Sequence, residues 1–255
     1  FFEPELDNLI TNVIKEKKLF ADTKPYYAKT FLITVPTPIT KTKSIPKPNL
    51  EYVFKAAESI APYIKEGNNI ILESTSPIGT TRKLSELIIQ LTGLDEHKIN
   101  FAYCPERVLP GNIIFELKNN DRVVGGIGEK AANTASNFYS TFCEGKIFKT
   151  SAETAEMVKL SENAFRDVNL AFANELSIIC DKKNINIREL IKLANQHPRV
   201  NILEPSCGVG GHCIAVDPWF LVSGSEDIST LIQTGRRVNE KKISWCIEKI
   251  KFLSS

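Results

Sequence analysis

The 255-residue sequence has no apolar run long enough to cross a membrane. Its uncharged apolar stretches, such as 31–35 and 69–72, fall far short of the ~20 residues a spanning helix needs. The opening residues show no basic start, apolar middle and small-residue cleavage site. Charge of one sign is also lacking. The 32 Lys and Arg nearly balance the 30 Asp and Glu, for a net charge of +2. That gives no electrostatic ground for nucleic acid or an anionic membrane, and neither is expected as a partner. There is no C-x-x-C, and none of the three His pairs with Cys at a zinc spacing, so no metal is expected. The six Cys, at 104, 143, 180, 207, 213 and 246, are scattered. Such a spread suits a reducing cytoplasm better than a stapled secreted fold. Most of them are expected to be inert core fillers. Thirteen Gly and thirteen Pro in no period exclude collagen-like chains. With 42% hydrophobic and 24% charged residues the chain can build a core, which excludes disorder.

What is present alternates. Pro4 can open a helix, and Leu6, Leu9, Ile10, Val13 and Ile14 keep helical spacing. Strands are expected at 31–35, 69–73, 99–104, 123–126 and 146–149. Helices are expected from a cap at Asn49 to Lys65, at 80–91 and at 129–142, with a Pro/Lys-rich loop over 40–48. Strand and helix in turn argue a parallel sheet with helices on its faces. Near Thr150 the pattern changes. Residues 151–183 contain no Gly or Pro, and Met157, Leu160, Ala164, Val168, Ala171, Leu176 and Ile179 keep an apolar stripe. A helix of that length, ~45 Å at 1.5 Å per residue, reads as a spine. A shorter helix follows over 187–196, then an irregular segment over 197–218. Asp227 can cap a last helix.

Chemistry concentrates in Cys207-Gly208-Val209-Gly210-Gly211-His212-Cys213-Ile214-Ala215-Val216-Asp217-Pro218. Three glycines within four residues let backbone approach a ligand closely. Cys213 follows at once, with a carboxylate four residues on, and a thiol in such a turn can be activated. A glycine turn around a buried cysteine is the alternative. On the spine, Lys159, Asn163 and Arg166 lie at i, i+4 and i+7, on one face. Two cations and an amide there can hold an anionic substrate or a developing alkoxide, or can form a solvated polar stripe. His197-Pro198-Arg199 adds cationic donors. Gly126-Ile127-Gly128 opens a helix after a strand, but no acidic residue follows at about twenty positions, so it is a weak dinucleotide fingerprint.

Together, Val35-Pro36-Thr37-Pro38, Glu73-Ser74-Thr75, the run Tyr103-Cys104-Pro105-Glu106-Arg107-Val108-Leu109-Pro110-Gly111, residues 156–175, His197-Pro198-Arg199 and the glycine-cysteine turn resemble the UDP-sugar dehydrogenase family. That family includes UDP-glucose and GDP-mannose dehydrogenases, and the resemblance covers nearly the whole chain. It implies a partial Rossmann-like, NAD-binding domain over 1–150 without its first strand and glycine turn. It implies an all-α central domain with the spine helix over 151–238, and over 239–255 the start of a connection to a nucleotide-binding domain. The sequence starts without Met and ends just after an apolar helical pattern begins, so a chain shortened at both ends is expected.

The implied activity is a four-electron, NAD-dependent oxidation of a nucleotide sugar by a cytoplasmic homodimer joined through the spine. Cys213 matches the nucleophile, Lys159 the proton shuttle or oxyanion stabiliser, and Asp217 a base or lysine partner. Arg107, Val108, Asn163, Arg166, His197, Arg199 and Gly210 match substrate positions, with Lys159 among them. Thr37 and Thr75 match NAD contacts, and Glu106 is a weaker candidate for positioning water. UDP-glucose dehydrogenases carry Lys where this chain has Val216. That points to the branch acting on UDP-N-acetylhexosamines, UDP-N-acetyl-D-mannosamine first and UDP-N-acetyl-D-glucosamine as the alternative. A one-hydride hydroxyacid dehydrogenase and a dimer core without turnover are the competing readings.

Overall fold

A computed structural model describes residues 3–40, 45–211 and 213–254. His212 of the glycine-cysteine turn, and 41–44 of the expected loop, lie outside the described residues. In chain order the elements are α1 (Pro4–Lys15), β1 (Thr30–Ile33), β2 (Ile39–Thr40), β3 (Lys47–Pro48), α2 (Glu51–Ile60), β4 (Asn69–Leu72), α3 (Thr80–Thr92), β5 (Asn100–Tyr103) and α4 (Ile113–Asn119). There follow β6 (Arg122–Gly126), α5 (Glu129–Tyr139), β7 (Ile147–Ser151), α6 (Ala152–Lys182), α7 (Ile187–Ala194), α8 (Asp217–Val222) and α9 (Thr230–Leu253). They form two compact units. The first comprises Phe1–Thr37 and Asn49–Val158, the second Pro38–Pro48 and Lys159–Ser255.

The first unit is built on a five-stranded sheet in the order β1-β4-β5-β6-β7. β1, β4 and β5 are parallel, with Ile70 between Phe31 and Phe101. Every residue of β4 and β5 is buried, as expected of central strands covered on both faces. One face packs Phe31, Ile33, Val53, Leu72, Leu84, Ile88 and Phe101, and the other packs Ile71, Ala102, Val124, Ala135 and Tyr139. The expectation of a purely parallel sheet fails at one place, because β6 runs antiparallel to β5. A parallel neighbour needs a crossover helix lying on the sheet. The connection here holds only the seven-residue α4, none of whose residues is buried. β7 then pairs parallel to β6, after α5, which buries Ala131, Ala132, Ala135 and Tyr139.

Gly126 explains the weak fingerprint. A Cβ there would collide with the backbone of Ala132 and Gly128. Close packing of the strand against the following helix therefore requires glycine at 126. α2 ends earlier than expected because Pro62 diverts the chain into a single 3-10 turn, Ala61–Tyr63. Its N-terminal cap position is Leu50 rather than the expected Asn49, although Asn49 Oδ1, one residue earlier, accepts the Glu51 N–H at 2.9 Å. The N-terminus of α3 has no cap of its own. It is closed by Glu156, whose carboxylate accepts the Gly79 N–H at 2.5 Å and, at 2.8 and 2.7 Å, the N–H and hydroxyl of Thr81.

Among the described residues the second unit has helices, an irregular segment between α7 and α8, and the antiparallel pair β2–β3, which replaces part of the expected loop. Its interior is polar along one line. Arg236 on α9 donates to Asp167 on α6 at 2.6 Å, and Asn239 donates to the same carboxylate oxygen at 2.8 Å. Asn174 donates to the Asn239 amide oxygen at 2.9 Å. The predicted stripe on α6 is only partly buried. Leu160, Ala164 and Ala171 are covered, but Met157 and Ile179 are exposed. Asp227 is not the cap of α9, which begins at Thr230 after Ser229.

Candidate active site

α8 opens on Asp217, with Pro218 in its first turn, where a missing N–H breaks no helix bond. The carbonyl of Cys213 accepts the N–H groups of Val216 and Asp217 at 3.0 and 2.9 Å. Cys213 and Asp217 are therefore the two ends of one turn, with opposite surroundings. Cys213 is exposed, whereas Asp217 is 3% exposed. The buried carboxylate accepts the side-chain amide of Asn163 at 2.5 Å, and Asn163 is itself buried on α6. Lys159, one helical turn earlier, is half-buried.

Burial pushes the Asp217 carboxyl up to about 6, against the Asn163 hydrogen bond and the nearby Lys159 charge, which pull it down. A group titrating there can both take and return a proton near neutrality. An exposed thiol, an amide, an ammonium and a carboxyl with a raised pKa are the parts needed for nucleophilic catalysis with general acid–base help.

Other sequence-selected residues of this unit lie at the surface. Arg166 is exposed on α6, and His197 and Arg199 are exposed beyond α7, where the Arg199 N–H donates to His197 Nδ1 at 3.3 Å. Gly210 is exposed, and a Cβ there would meet nothing within 4 Å. Its φ lies outside the left-handed region. Among the described residues, nothing packs where a Cβ at 210 would stand.

In the first unit Thr37 and Thr75 follow the adjacent parallel strands β1 and β4. The Thr37 hydroxyl donates to the Thr75 carbonyl at 2.6 Å, which joins the two loops at the carboxyl edge. In open α/β sheets that edge is where ligands sit. Arg107 is exposed and Val108 half-buried, in the loop after β5. Glu106 has a structural task there, because one carboxylate oxygen accepts the N–H groups of Arg107 and Val108 at 2.6 and 2.9 Å.

The sequence reading missed two groups. One is a buried cluster in the first unit. Tyr139 donates its hydroxyl to Glu73, and Arg122 stacks over the Tyr139 ring at 4.9 Å with Cys104 3.9 Å from its guanidinium. Burial raises the Glu73 carboxyl and pushes the Cys104 thiol up to about 11, which disfavours its thiolate. The other is the Asp167–Arg236–Asn239–Asn174 line, which ends at the glycine turn, where the Ser206 N–H donates to Asn174 Oδ1 at 2.8 Å. Asn163, Asp167 and Asn174 share one face of a helix otherwise read for apolar residues, and that spacing was the available signal.

Comparison with known proteins matches residues 1–143 to the UDP-glucose/GDP-mannose dehydrogenase family NAD binding domain and 153–241 to the central domain of the same family. A UDP-N-acetyl-D-mannosamine dehydrogenase of Campylobacter jejuni is 50% identical over 98% of this chain and 63% of its own length. An NDP-N-acetyl-D-galactosaminuronic acid dehydrogenase of Ralstonia nicotianae is 49% identical over 98% of this chain and 60% of its own. The solved structure of a UDP-D-ManNAc dehydrogenase from Pyrococcus horikoshii superposes with a TM-score of 0.92 at 42% identity, covering 97% of this chain and 59% of that one. The chain thus spans about three fifths of the length of these relatives.

Proposed function

The chain belongs to the UDP-glucose/GDP-mannose dehydrogenase family, and from that premise we propose that it carries the catalytic cysteine of an NAD-dependent, four-electron oxidation of UDP-N-acetyl-D-mannosamine to the uronate. The observation that carries this reading is the exposed Cys213 tied through one turn to the buried Asn163–Asp217 pair.

The residues beyond β1 and β4 fit the cofactor, since Thr37 and Thr75 present small polar side chains at the carboxyl edge of a parallel sheet. Bound NAD supplies a hydride acceptor, used twice. The remaining chemistry belongs to this chain. Asp217 takes the proton of the sugar's primary alcohol, while Lys159 and Asn163 face the oxygen that gains negative charge. The Cys213 sulfur then bonds to the aldehyde carbon, giving a thiohemiacetal. Loss of a second hydride leaves a thioester, and water breaks its carbon–sulfur bond to release the acid and restore the thiol. Arg166 and Arg199 suit the diphosphate, whose oxygens a guanidinium meets in pairs. Arg107, Val108, His197 and Gly210 complete the substrate contacts.

The names of the relatives favour an N-acetylhexosamine but differ in the sugar. Val216 fits that branch. A homodimer through α6 belongs to the same reading. Phe165, Phe172 and Ile179, seven residues apart, are 70, 55 and 51% exposed, an apolar line that water does not favour. Among the described residues no helix is long and apolar enough to cross a membrane.

The test is NADH yield from the full-length protein with limiting UDP-N-acetyl-D-mannosamine and excess NAD. Two NADH per sugar, with a uronate product, are expected. One NADH per sugar would replace the cysteine route with a simple alcohol oxidation. No turnover with this sugar but two NADH from UDP-N-acetyl-D-glucosamine would move the substrate and keep the chemistry.

A further inference from the structure

A second thiol site lies apart from Cys213. Cys207 opens the glycine turn and is exposed, and Cys246 lies half-buried on α9. The turn is fixed against α9 at this point. The Ser206 hydroxyl donates to the Gly208 carbonyl at 2.7 Å, and Gly208 packs on Ile243 so closely that no Cβ fits between them. Cys246 is one helical turn beyond Ile243, on the stretch of α9 that faces the turn carrying Cys207. Both cysteines line a cavity of about 470 Å³ together with Ser177, Asp181, Lys242 and Trp245. Lys242 is only 4% exposed. Its Nζ donates to the Ser177 hydroxyl at 2.7 Å and lies 3.9 Å from the Trp245 ring centroid.

An ammonium is seldom buried for packing alone, because leaving water disfavours its charge. Lys242 lines the same cavity wall as both thiols. Burial lowers the pKa of the Lys242 ammonium and raises that of the Cys246 thiol, and the ammonium beside that thiol works against the rise. A cation beside a thiol favours the thiolate, the form that reacts.

We propose that Cys207 and Cys246 form a redox-active dithiol, with Lys242 as its activating cation and low-molecular-weight disulfides as its reaction partners. The Cys207 thiolate attacks one sulfur of the small disulfide, whose S–S bond breaks and releases one thiolate. The Cys246 sulfur, having given up its proton, then attacks Cys207 in the mixed disulfide and releases the second small thiol. In sum, two protein thiols lose two protons and two electrons, and one small disulfide becomes two thiols. The new bond pins the residue that starts the turn bearing Cys213 to α9. This site stands on its own contacts and does not depend on the role assigned to Cys213.

The test is titration of the full-length protein with mixtures of reduced and oxidised glutathione, followed by digestion without reductant and mass mapping. Cys207 and Cys213 fall on the same tryptic peptide, since no Lys or Arg lies between Arg199 and Arg236. The link is therefore mapped in both the natural protein and its Cys213→Ser variant. The expected result is a Cys207–Cys246 disulfide in both, with Cys104, Cys143 and Cys180 still reduced, and a rise in the thermal midpoint on oxidation that Cys207→Ser abolishes. In Cys246→Ser, Cys207 is expected to stop at the mixed disulfide. Lys242→Gln slows bond formation about tenfold, while Lys242→Arg keeps most of the rate. A Cys207–Cys213 link, or only mixed disulfides at Cys207 in the natural protein, would overturn the proposal.

Discussion

Asn163 and Asp217 stand 54 positions apart in sequence and meet at 2.5 Å, both buried. The carboxyl has lost its water and kept one amide donor, and its acidity moves from the ordinary 3.8 to about 6. In the unfolded chain it ionises first, so between these values stability falls as pH rises, and the deficit is complete above about 6. A shift of that size corresponds to about 3 kcal/mol.

Asp217→Asn keeps an acceptor for Asn163 and removes the buried charge. Its thermal midpoint should gain on the natural protein as pH rises from about 4 to about 6 and hold that gain above. Activity should fall by two orders of magnitude or more, and the acid limb of the pH profile near 6 should vanish. Midpoints and initial rates measured in one pH series check both. A variant that loses stability at neutral pH and keeps the acid limb would remove Asp217 from the proton path.

Cys213→Ser alters an exposed side chain, so its thermal midpoint should stay within about a degree of the natural protein. Acid product should be abolished, because a serine hydroxyl without a strong base adds poorly to an aldehyde and gives no thioester. Product analysis by mass spectrometry decides. Full acid production by the serine variant would end the covalent route.

The legible parts of the sequence were those governed by local rules. Residues 69–73 read as a strand because of their short apolar run, and the structure places β4 at Asn69–Leu72 with all four residues buried. Cys213 and Asp217 stood out because glycines, a thiol and a carboxylate crowd one short segment. The direction of β6 was not legible, since it depends on whether α4 covers the sheet. Nor was the role of Glu156, which caps a helix more than seventy residues earlier. Three of the six cysteines are buried as core fillers. Cys207 and Cys246 are not, and only the packing of the glycine turn on α9 brings them together.

Glu156 is fully buried and holds three donors at the start of α3. Burial raises its carboxyl, and the hydrogen bonds from Thr81 and Gly79 work the other way. Glu156→Ala should cost about 3 kcal/mol, as one carboxylate is lost and three donors lose their acceptor. Glu156→Gln keeps one acceptor oxygen and should cost about half of that. Urea denaturation of the two variants tests the order, and an alanine variant as stable as the natural protein would refute the capping role.

Arg236 and Asp167 are 4 and 0% exposed in their side chains and pair at 2.6 Å. Arg236→Met leaves the carboxylate buried without its cation and should cost about 3–5 kcal/mol. Burial already raises the Asp167 carboxyl, while Arg236 draws it down, so the variant's carboxyl should titrate higher still. A raised folded value means that stability is lost as pH rises. The Arg236→Met deficit should therefore be larger at about pH 8 than at about pH 5. A deficit independent of pH would mean that the guanidinium matters for packing alone.

Phe165, Phe172 and Ile179 place three large apolar side chains along the spine helix, each more than half exposed. Their spacing of seven keeps them on one face for two heptads, and such a line is suited to meeting its own copy about a two-fold axis. Burying two phenylalanines per chain is worth roughly 3–6 kcal/mol per protomer from area alone. Phe165→Ser with Phe172→Ser should thus shift the full-length protein from dimer to monomer in light scattering at micromolar concentration. The midpoint of unfolding should then lose its dependence on protein concentration, because the folded state no longer gains from association. A double variant that remains a dimer would move the interface off this helix, whatever the chemistry at Cys213 proves to be.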